Sequence, residues 1–311
     1  MTGSTPIRTE TSNTRPAADR RLGRRLLRVA RPRQWTKNVL VLAAPVAAGQ
    51  WLPGEEVVRL AIVLVLFIGV SVSVYFLNDC VDVEDDRRHP VKRYRPIAAG
   101  EVPLPLALAI GFFLAVASLT LASQLCNWRT TALLCTYVLV QAAYCLFLKQ
   151  VALIDLATVA SGFLMRAMAG GLALDIPLSR WFLVTTGFAA LFAVAAKRYS
   201  ETVGMGQDGG TRDVIRRYTE GYLRFVWQLA AMVTVVAYGL WALDERPRTD
   251  EGTLLWRQLS MLPFVFGVLR YAMFAERGVA EAPEDVVWRD RALGLLALAW
   301  VALYGLAVSG L

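Results

Sequence analysis

Long uninterrupted apolar runs constrain this chain more than any other feature. A helix of about 20 apolar residues crosses a bilayer core. Nine runs qualify or nearly so, at about residues 38–52, 57–77, 104–124, 131–148, 151–174, 180–196, 223–243, 254–274 and 292–310. The first of them is the shortest. Only 19% of the 311 residues are charged and 56% are hydrophobic, and a soluble protein of this length would carry more charge. The expected fold class is therefore all-α, a polytopic membrane protein of nine transmembrane helices.

The 33 Lys and Arg residues are unevenly divided by these runs. Ten precede the first run, and the stretches after runs 2, 4, 6 and 8 hold most of the rest. The opposite side carries Arg59, Arg129, Arg180, Arg246, Arg248 and Arg257. The positive-inside rule then places the N-terminus in the cytoplasm and the C-terminus outside a plasma (inner) membrane. The net charge of +8 flanks membrane spans, which argues against nucleic acid as a partner. Membrane lipid is the expected surroundings.

Residues 1–19 are polar and read as a disordered basic tail. Residues 20–33 read as an amphipathic interfacial helix. Arg21, Arg24, Arg25 and Arg28 alternate there with Leu22, Leu26, Leu27 and Val29, and Pro32 ends or bends it. Residues 34–311 form the transmembrane domain. No removable signal peptide is expected. Cys80, Cys126, Cys135 and Cys145 lack CxxC spacing, so neither a disulfide scaffold nor a zinc site is supported.

The second apolar run ends in Asn78-Asp79-Cys80-Val81-Asp82-Val83-Glu84-Asp85-Asp86. Asn78, Asp82 and Asp86 recur every four residues, so a helix stacks them on one face, and Asp79 borders it. Oxygen ligands at a membrane boundary are costly unless a cation binds them. Carboxylates with an amide oxygen suit Mg²⁺, which commonly also takes oxygens from a substrate phosphate. Lys92 and Arg95 follow closely and can reach phosphate oxygens. The competing reading is a solvated loop whose acids balance its bases. His89, beside Pro90, reads as a turn residue.

Other polar residues lie at the same leaflet. Tyr144 and Lys149 are either interfacial anchors or ligands. Asp155 enters a membrane segment and should face the bundle interior with a partner. Arg166, in the middle of a span, is expected either to pair with an acid such as Asp155 or to clamp an anion. The small residues Gly162, Ala167, Ala169, Gly170 and Gly171 allow close helix packing beside it. Lys197, Arg198 and Glu201 offer a helix-end salt bridge or phosphate ligands. Gly204, Gly206, Gly209 and Gly210 after them could form a lid. Gln34, Lys37 and Asn38 could contact a phosphate head group. A transporter with a buried relay would need polar residues along several spans, whereas these concentrate at one leaflet.

Together these features resemble the UbiA superfamily of intramembrane prenyl transferases, over about residues 31–311. Asn78, Asp79, Asp82 and Asp86 match its first acidic motif, NDxxDxxxD. Lys92, Arg95, Pro96, Ile97 and Gly100, and the pair Tyr144 and Lys149, match as well. The resemblance implies nine helices around a central cavity open to the cytoplasmic side. The second acidic motif of most members, DxxxD, is replaced here by Lys197-Arg198-Tyr199-Ser200-Glu201. Extra cations there suit a donor with an additional phosphate. The chain resembles the branch that moves phosphoribose from phosphoribosyl diphosphate to decaprenyl phosphate, for the arabinan of the arabinogalactan cell wall. The alternative is a prenyl transfer to an aromatic acceptor.

That resemblance implies Mg²⁺ held by Asn78, Asp82 and Asp86, with Asp79 or Glu201 assisting. It implies Lys92, Arg95, Lys149, Lys197 and Arg198 against phosphate charge. Asp82, Asp86, Lys149 and Lys197 are the expected catalytic set. Gln34, Lys37, Asn38, Tyr144, Asp155 and Arg166 are expected to contact substrate. Homo-oligomerisation is left open.

Overall fold

The computed structural model describes residues 15–49, 53–204, 218–243, 251–280, 286 and 289–309. Every regular element among them is helical, and none is a strand. The helices are α1 (Arg15–Ala30), α2 (Ala43–Ala48), α3 (Gly54–Val81), α4 (Val83–Arg88), α5 (Leu104–Leu125), α6 (Trp128–Leu146), α7 (Ile154–Ala173), α8 (Arg180–Gly204), α9 (Glu220–Ala242), α10 (Glu251–Glu276) and α11 (Arg291–Ser309). Seven of them, α3, α5 and α7 to α11, are long and apolar enough to cross a membrane. The chain is a multi-pass membrane protein.

Two of the nine expected spans take another form. The run 38–52 is not one regular helix. An 11-residue 3-10 helix, Pro32–Leu42, leads into α2, which is only six residues long. In a 3-10 helix residues three apart eclipse one another. Asn38 and Val41 share such a face and are fully buried. The fourth run is a helix of 19 residues, α6, but Arg129, Thr130, Thr131, Thr136 and Gln141 lower its hydropathy below that of the other seven.

The helix ends follow local chemistry. Asn127 caps α6 by accepting the Thr130 N–H at 2.9 Å, and Thr219 caps α9 by accepting the Tyr222 N–H at 3.1 Å. Pro53 and Pro103 stand before α3 and α5, where a missing N–H costs nothing. Helix α1 takes in residues 15–19, expected in the tail, and stops at Ala30, short of the expected 33. Residues 1–14 lie outside the described residues, as do Gly206, Gly209 and Gly210 of the expected lid.

Apolar packing divides into three cores. One joins Leu156 of α7 to α8, α9, α10 and α11 through Phe192, Tyr199, Trp227, Tyr271 and Leu293. A second joins Met165 and Ala169 of the same helix to α3 and α6 through Phe67, Leu134 and Tyr137. A third seats Val29 of α1 against Phe76, Cys80, Ile97 and Val102. Helix α7 is thus shared between two cores, and its small residues explain how. At Gly170 a Cβ would come within 2.0 Å of the Val41 carbonyl oxygen, so α7 and the 3-10 helix approach closer than any side chain permits.

Candidate active site

The acidic segment lies where α3 gives way to α4. Asp82 is the joint, with φ −85° and ψ 5°. The four-residue hydrogen bonding continues across it, from Asp82 N to Asn78 O at 2.9 Å and from Asp86 N to Asp82 O at 2.8 Å. The change of helix therefore leaves Asn78, Asp82 and Asp86 in successive turns.

Three of the four Asp carboxylates here, those of Asp79, Asp82 and Asp86, meet a cation from elsewhere in the chain. Arg31 and Arg95 both hydrogen-bond Asp79, the latter at 3.2 Å. Arg95 also reaches Asp86 at 2.7 Å, and Lys149 pairs with Asp82. Asp79 and Asp86 are 2% and 3% exposed, so these pairs are largely desolvated. Removing one partner of such a pair costs about 3–5 kcal/mol, because it strands a buried charge. Arg31 also lies over the Tyr75 ring, 5.4 Å from its centroid. The Cys145 thiol donates to Asn78 Oδ1 at 3.7 Å. His89 serves a turn, its Nδ1 accepting the N–H of Val91 and of Lys92.

A second cluster gathers at the start of α7. Arg198 of α8 reaches both oxygens of Asp155, at 3.1 and 3.2 Å. The Tyr144 hydroxyl donates to Asp155 Oδ1 at 2.8 Å. Arg198 further binds Glu201 at 2.9 Å, and Lys197 lies 3.9 Å from the same carboxylate. Lys197 is the more open of the two cations. Leu153, just before α7, has φ +69°, and its N–H donates to the Tyr218 hydroxyl at 2.7 Å. Burial pushes the Tyr218 phenol up. The end of α6 and the connection after it join the two clusters, because Tyr144 serves Asp155 and Lys149 serves Asp82.

The expected pairing of Asp155 with Arg166 is not what the structure contains. Asp155 belongs to Arg198. Arg166 lies about three turns further along α7, where it meets Asn38 instead, at 2.9 Å. Asn38 is therefore turned into the bundle, away from the acidic layer. Gln34 and Lys37 of the same 3-10 helix are half-buried.

The structure thus brings Asn78, Asp79, Asp82, Asp86, Arg95 and Lys149 together, and separately Tyr144, Asp155, Lys197, Arg198 and Glu201. Sequence reasoning overlooked Arg31, Tyr75, Ser71, Tyr137 and Tyr218. Ser71 and Tyr75 carried a signal, since they are polar residues in an apolar run, four apart and four before Asp79. Arg31 carried none, because its partner is 48 residues away.

Among the described residues no three His, Cys, Asp or Glu form a ready metal cage. Mg²⁺ does not need one, since it is bound by one or two carboxylates together with substrate phosphates. The hard oxygens of Asn78, Asp82 and Asp86 fit that requirement.

Residues 39–243 match the model of the UbiA prenyltransferase family. The chain is 44% identical over 297 residues to a decaprenyl-phosphate phosphoribosyltransferase of Mycolicibacterium smegmatis, covering 91% of this chain and 92% of that protein. It is 45% identical over 289 residues to the protein of the same name from Mycobacterium tuberculosis, covering 91% and 94%. The solved structure of a UbiA homolog from Archaeoglobus fulgidus bound to DMAPP and Mg²⁺ superposes with a TM-score of 0.69, over 92% of this chain and 99% of that one. At 15% identity that likeness concerns the fold alone. The helical bundle, the acidic turn at the end of α3 and a match of this extent lead to one conclusion: the chain belongs to the UbiA prenyltransferase family.

Proposed function

We propose that this enzyme transfers 5-phosphoribose from phosphoribosyl diphosphate to decaprenyl phosphate, releasing diphosphate, as a Mg²⁺-dependent step toward cell-wall arabinan. One observation carries the reading within the family. About two turns before its end, α8 carries Lys197 and Arg198, with Arg198 committed to Asp155 and Glu201 and Lys197 the more open of the two. A partly exposed lysine in place of the first acid of DxxxD suits a donor with an extra phosphate rather than a second metal. The likeness to the mycobacterial phosphoribosyltransferases over nine-tenths of the chain supports the same substrates.

In this reading a phosphate oxygen of the acceptor attacks the anomeric carbon. The bond from that carbon to the diphosphate oxygen breaks, with inversion. No general base is required, because a phosphate monoester with a second pKa of about 6 is already ionised near neutral pH. Asn78, Asp82 and Asp86 would hold Mg²⁺, whose charge, when bound, offsets that of the departing diphosphate. Lys149, already seated on Asp82, and Lys92, Arg95 and Lys197 hold phosphate oxygens. Asp155 and Tyr144 orient Arg198 toward the same mouth. Positive charge aimed where negative charge develops is the main catalytic contribution of such residues.

The same proposal places the mouth at the cytoplasmic leaflet of the plasma membrane, with the N-terminus inside and the C-terminus outside. Helix α6 and the segment from Pro32 to Ala48 complete nine crossings around a central cavity, and α1 lies along the inner surface.

The test is an incubation of membranes containing the protein with labelled phosphoribosyl diphosphate and a polyprenyl phosphate. Label in an organic-extractable lipid, lost on chelation of Mg²⁺, is the expected result. Transfer from a prenyl diphosphate to an aromatic acceptor instead would replace this reading with the prenyl-transfer one.

A further inference from the structure

Arg166 is buried midway along α7, 7% exposed. Among the described residues, all its hydrogen bonds go to neutral oxygens. Nε donates to Asn38 Oδ1 at 2.9 Å and Nη1 to the Gly162 carbonyl at 2.9 Å. Nη2 donates to the Tyr137 hydroxyl at 2.6 Å and to Ser71 Oγ at 3.4 Å. The rings of Phe67, Tyr137 and Phe163 surround the guanidinium, with centroids 5.5, 5.0 and 5.6 Å away. Among the described residues no carboxylate forms an ion pair with it. A buried cation ordinarily has an anion beside it. Aromatic faces and neutral oxygens soften that charge without cancelling it.

A second observation points the same way. Asn38 is fully buried. Its Oδ1 is occupied by Arg166 and by the Ser71 hydroxyl, at 2.9 and 3.3 Å, while its Nδ2 has no partner among the described residues. The amide cannot be turned round, because its NH₂ would then face the guanidinium. A buried unmet donor beside an unmatched cation is a deficit of acceptor oxygens. A phosphate supplies such oxygens together with the missing charge.

The depth of the cluster is informative. The Arg166 side chain leans back toward the start of α7 and reaches Gly162. Gly162 is seven residues beyond Asp155, and Ser71 is seven residues before Asn78. At the helical rise, both place the guanidinium about 10 Å below the mouth. Tyr75, one turn from Ser71 and one turn from Asp79, spans the interval under Arg31. At Gly162 a Cβ would meet Gln141 Nε2 at 3.0 Å and Arg166 Nη1 at 3.4 Å, so glycine there lets the guanidinium lie close against α7.

We infer that Arg166, Asn38, Tyr137 and Ser71 form a second phosphate subsite, beneath the acidic layer and independent of it, for a phosphate monoester. The inference rests on the proposed function, in which two substrates carry that group. The donor has a 5-phosphate at the far end from its diphosphate, and the acceptor has a phosphate on its polyprenyl chain.

The experiment uses the purified full-length protein in lipid nanodiscs, with Mg²⁺ present. KM is measured for phosphoribosyl diphosphate and for polyprenyl phosphate separately, the other substrate saturating. Arg166→Met raises one of the two KM values about tenfold or more, and Arg166→Lys recovers part of the loss. A rise confined to the donor assigns its 5-phosphate to the subsite, and a rise confined to the acceptor assigns the lipid phosphate. An equal change in both, or in neither, overturns the inference and leaves Arg166 a structural residue. Should Arg166→Met fail to accumulate, Tyr137→Phe with Ser71→Ala keeps the packing and carries the test. The same single KM then rises about threefold, or the inference is lost. Wild-type protein that moves no phosphoribose defeats the proposed function itself. Wild-type protein that moves it, with KM values indifferent to Arg166, defeats only the subsite.

Discussion

Arg198 reaches both carboxylate oxygens of Asp155, at 3.1 and 3.2 Å, and so ties α8 to the first turn of α7. Asp155 and Arg198 are 1% and 8% exposed. Tyr144 donates to the same carboxylate from α6, so one acid joins three helices. The arrangement is costly to build and more costly to break halfway.

Arg198→Met should therefore lower the stability of the detergent-solubilised protein by about 3–5 kcal/mol, because Asp155 is left buried without a counter-charge. Removing both charges, as Asp155→Leu with Arg198→Met, should restore much of that loss. Thermal melts of the two variants and the parent decide it. A double variant less stable than Arg198→Met would contradict the argument.

Asp82 binds Lys149 in the structure and is a proposed Mg²⁺ ligand. Asp82→Asn keeps the shape and removes the charge. Label transfer to lipid should fall by about a hundredfold or more, while the protein still inserts and melts cooperatively. Wild-type turnover by this variant at saturating Mg²⁺ would remove Asp82 from the metal site.

Gly170 faces the Val41 carbonyl oxygen, where a Cβ would lie at 2.0 Å. Gly170→Val must push the 3-10 helix off α7, at a cost of about 1–3 kcal/mol. Asn38 rides on that helix, so its bond to Arg166 should weaken and activity should drop with stability. A variant as stable and as active as the parent would show that the two elements part freely.

Asp290, ahead of α11, accepts hydrogen bonds from Arg270 at 2.7 and 3.2 Å and from the Leu293 N–H at 2.7 Å. The Arg270 hydrogen bond, then that of Leu293, holds its carboxyl below the ordinary carboxylate range. A group whose folded pKa is depressed stabilises the fold above its unfolded pKa of about 3.9. That contribution is lost as pH falls through the lower folded value. Asp290→Asn should thus lower Tm near neutral pH and converge with the parent in acid. A Tm difference that is constant with pH would refute the assignment.

How much of this was legible beforehand varies from residue to residue. The acidic turn was readable because Asn78, Asp82 and Asp86 are close neighbours in sequence, and four-residue spacing reports a helix face directly. That Lys197 and Arg198 stand in place of a second acidic motif follows from the family resemblance, not from spacing. The pairing of Asp155 was not readable. Arg166 is nearer in sequence, but it lies on the same helix, 11 positions along, too far for contact, while Arg198 arrives on a neighbouring helix. Asn38 was placed among phosphate ligands at the membrane surface, yet the 3-10 helix turns it into the bundle. No local pattern announces an 11-residue 3-10 helix, because the close approach of Gly170 helps to set it.

Apolar length, charge bias and short-range spacing are properties of contiguous chain, and from them alone came a helical membrane protein with an acid-rich turn at one leaflet. Which cation answers which acid, and which cation is left with only neutral oxygens, depends on helices that meet from distant parts of the chain. Inside a bilayer an ion pair forms where packing delivers both partners to one depth, and only the assembled bundle decides that.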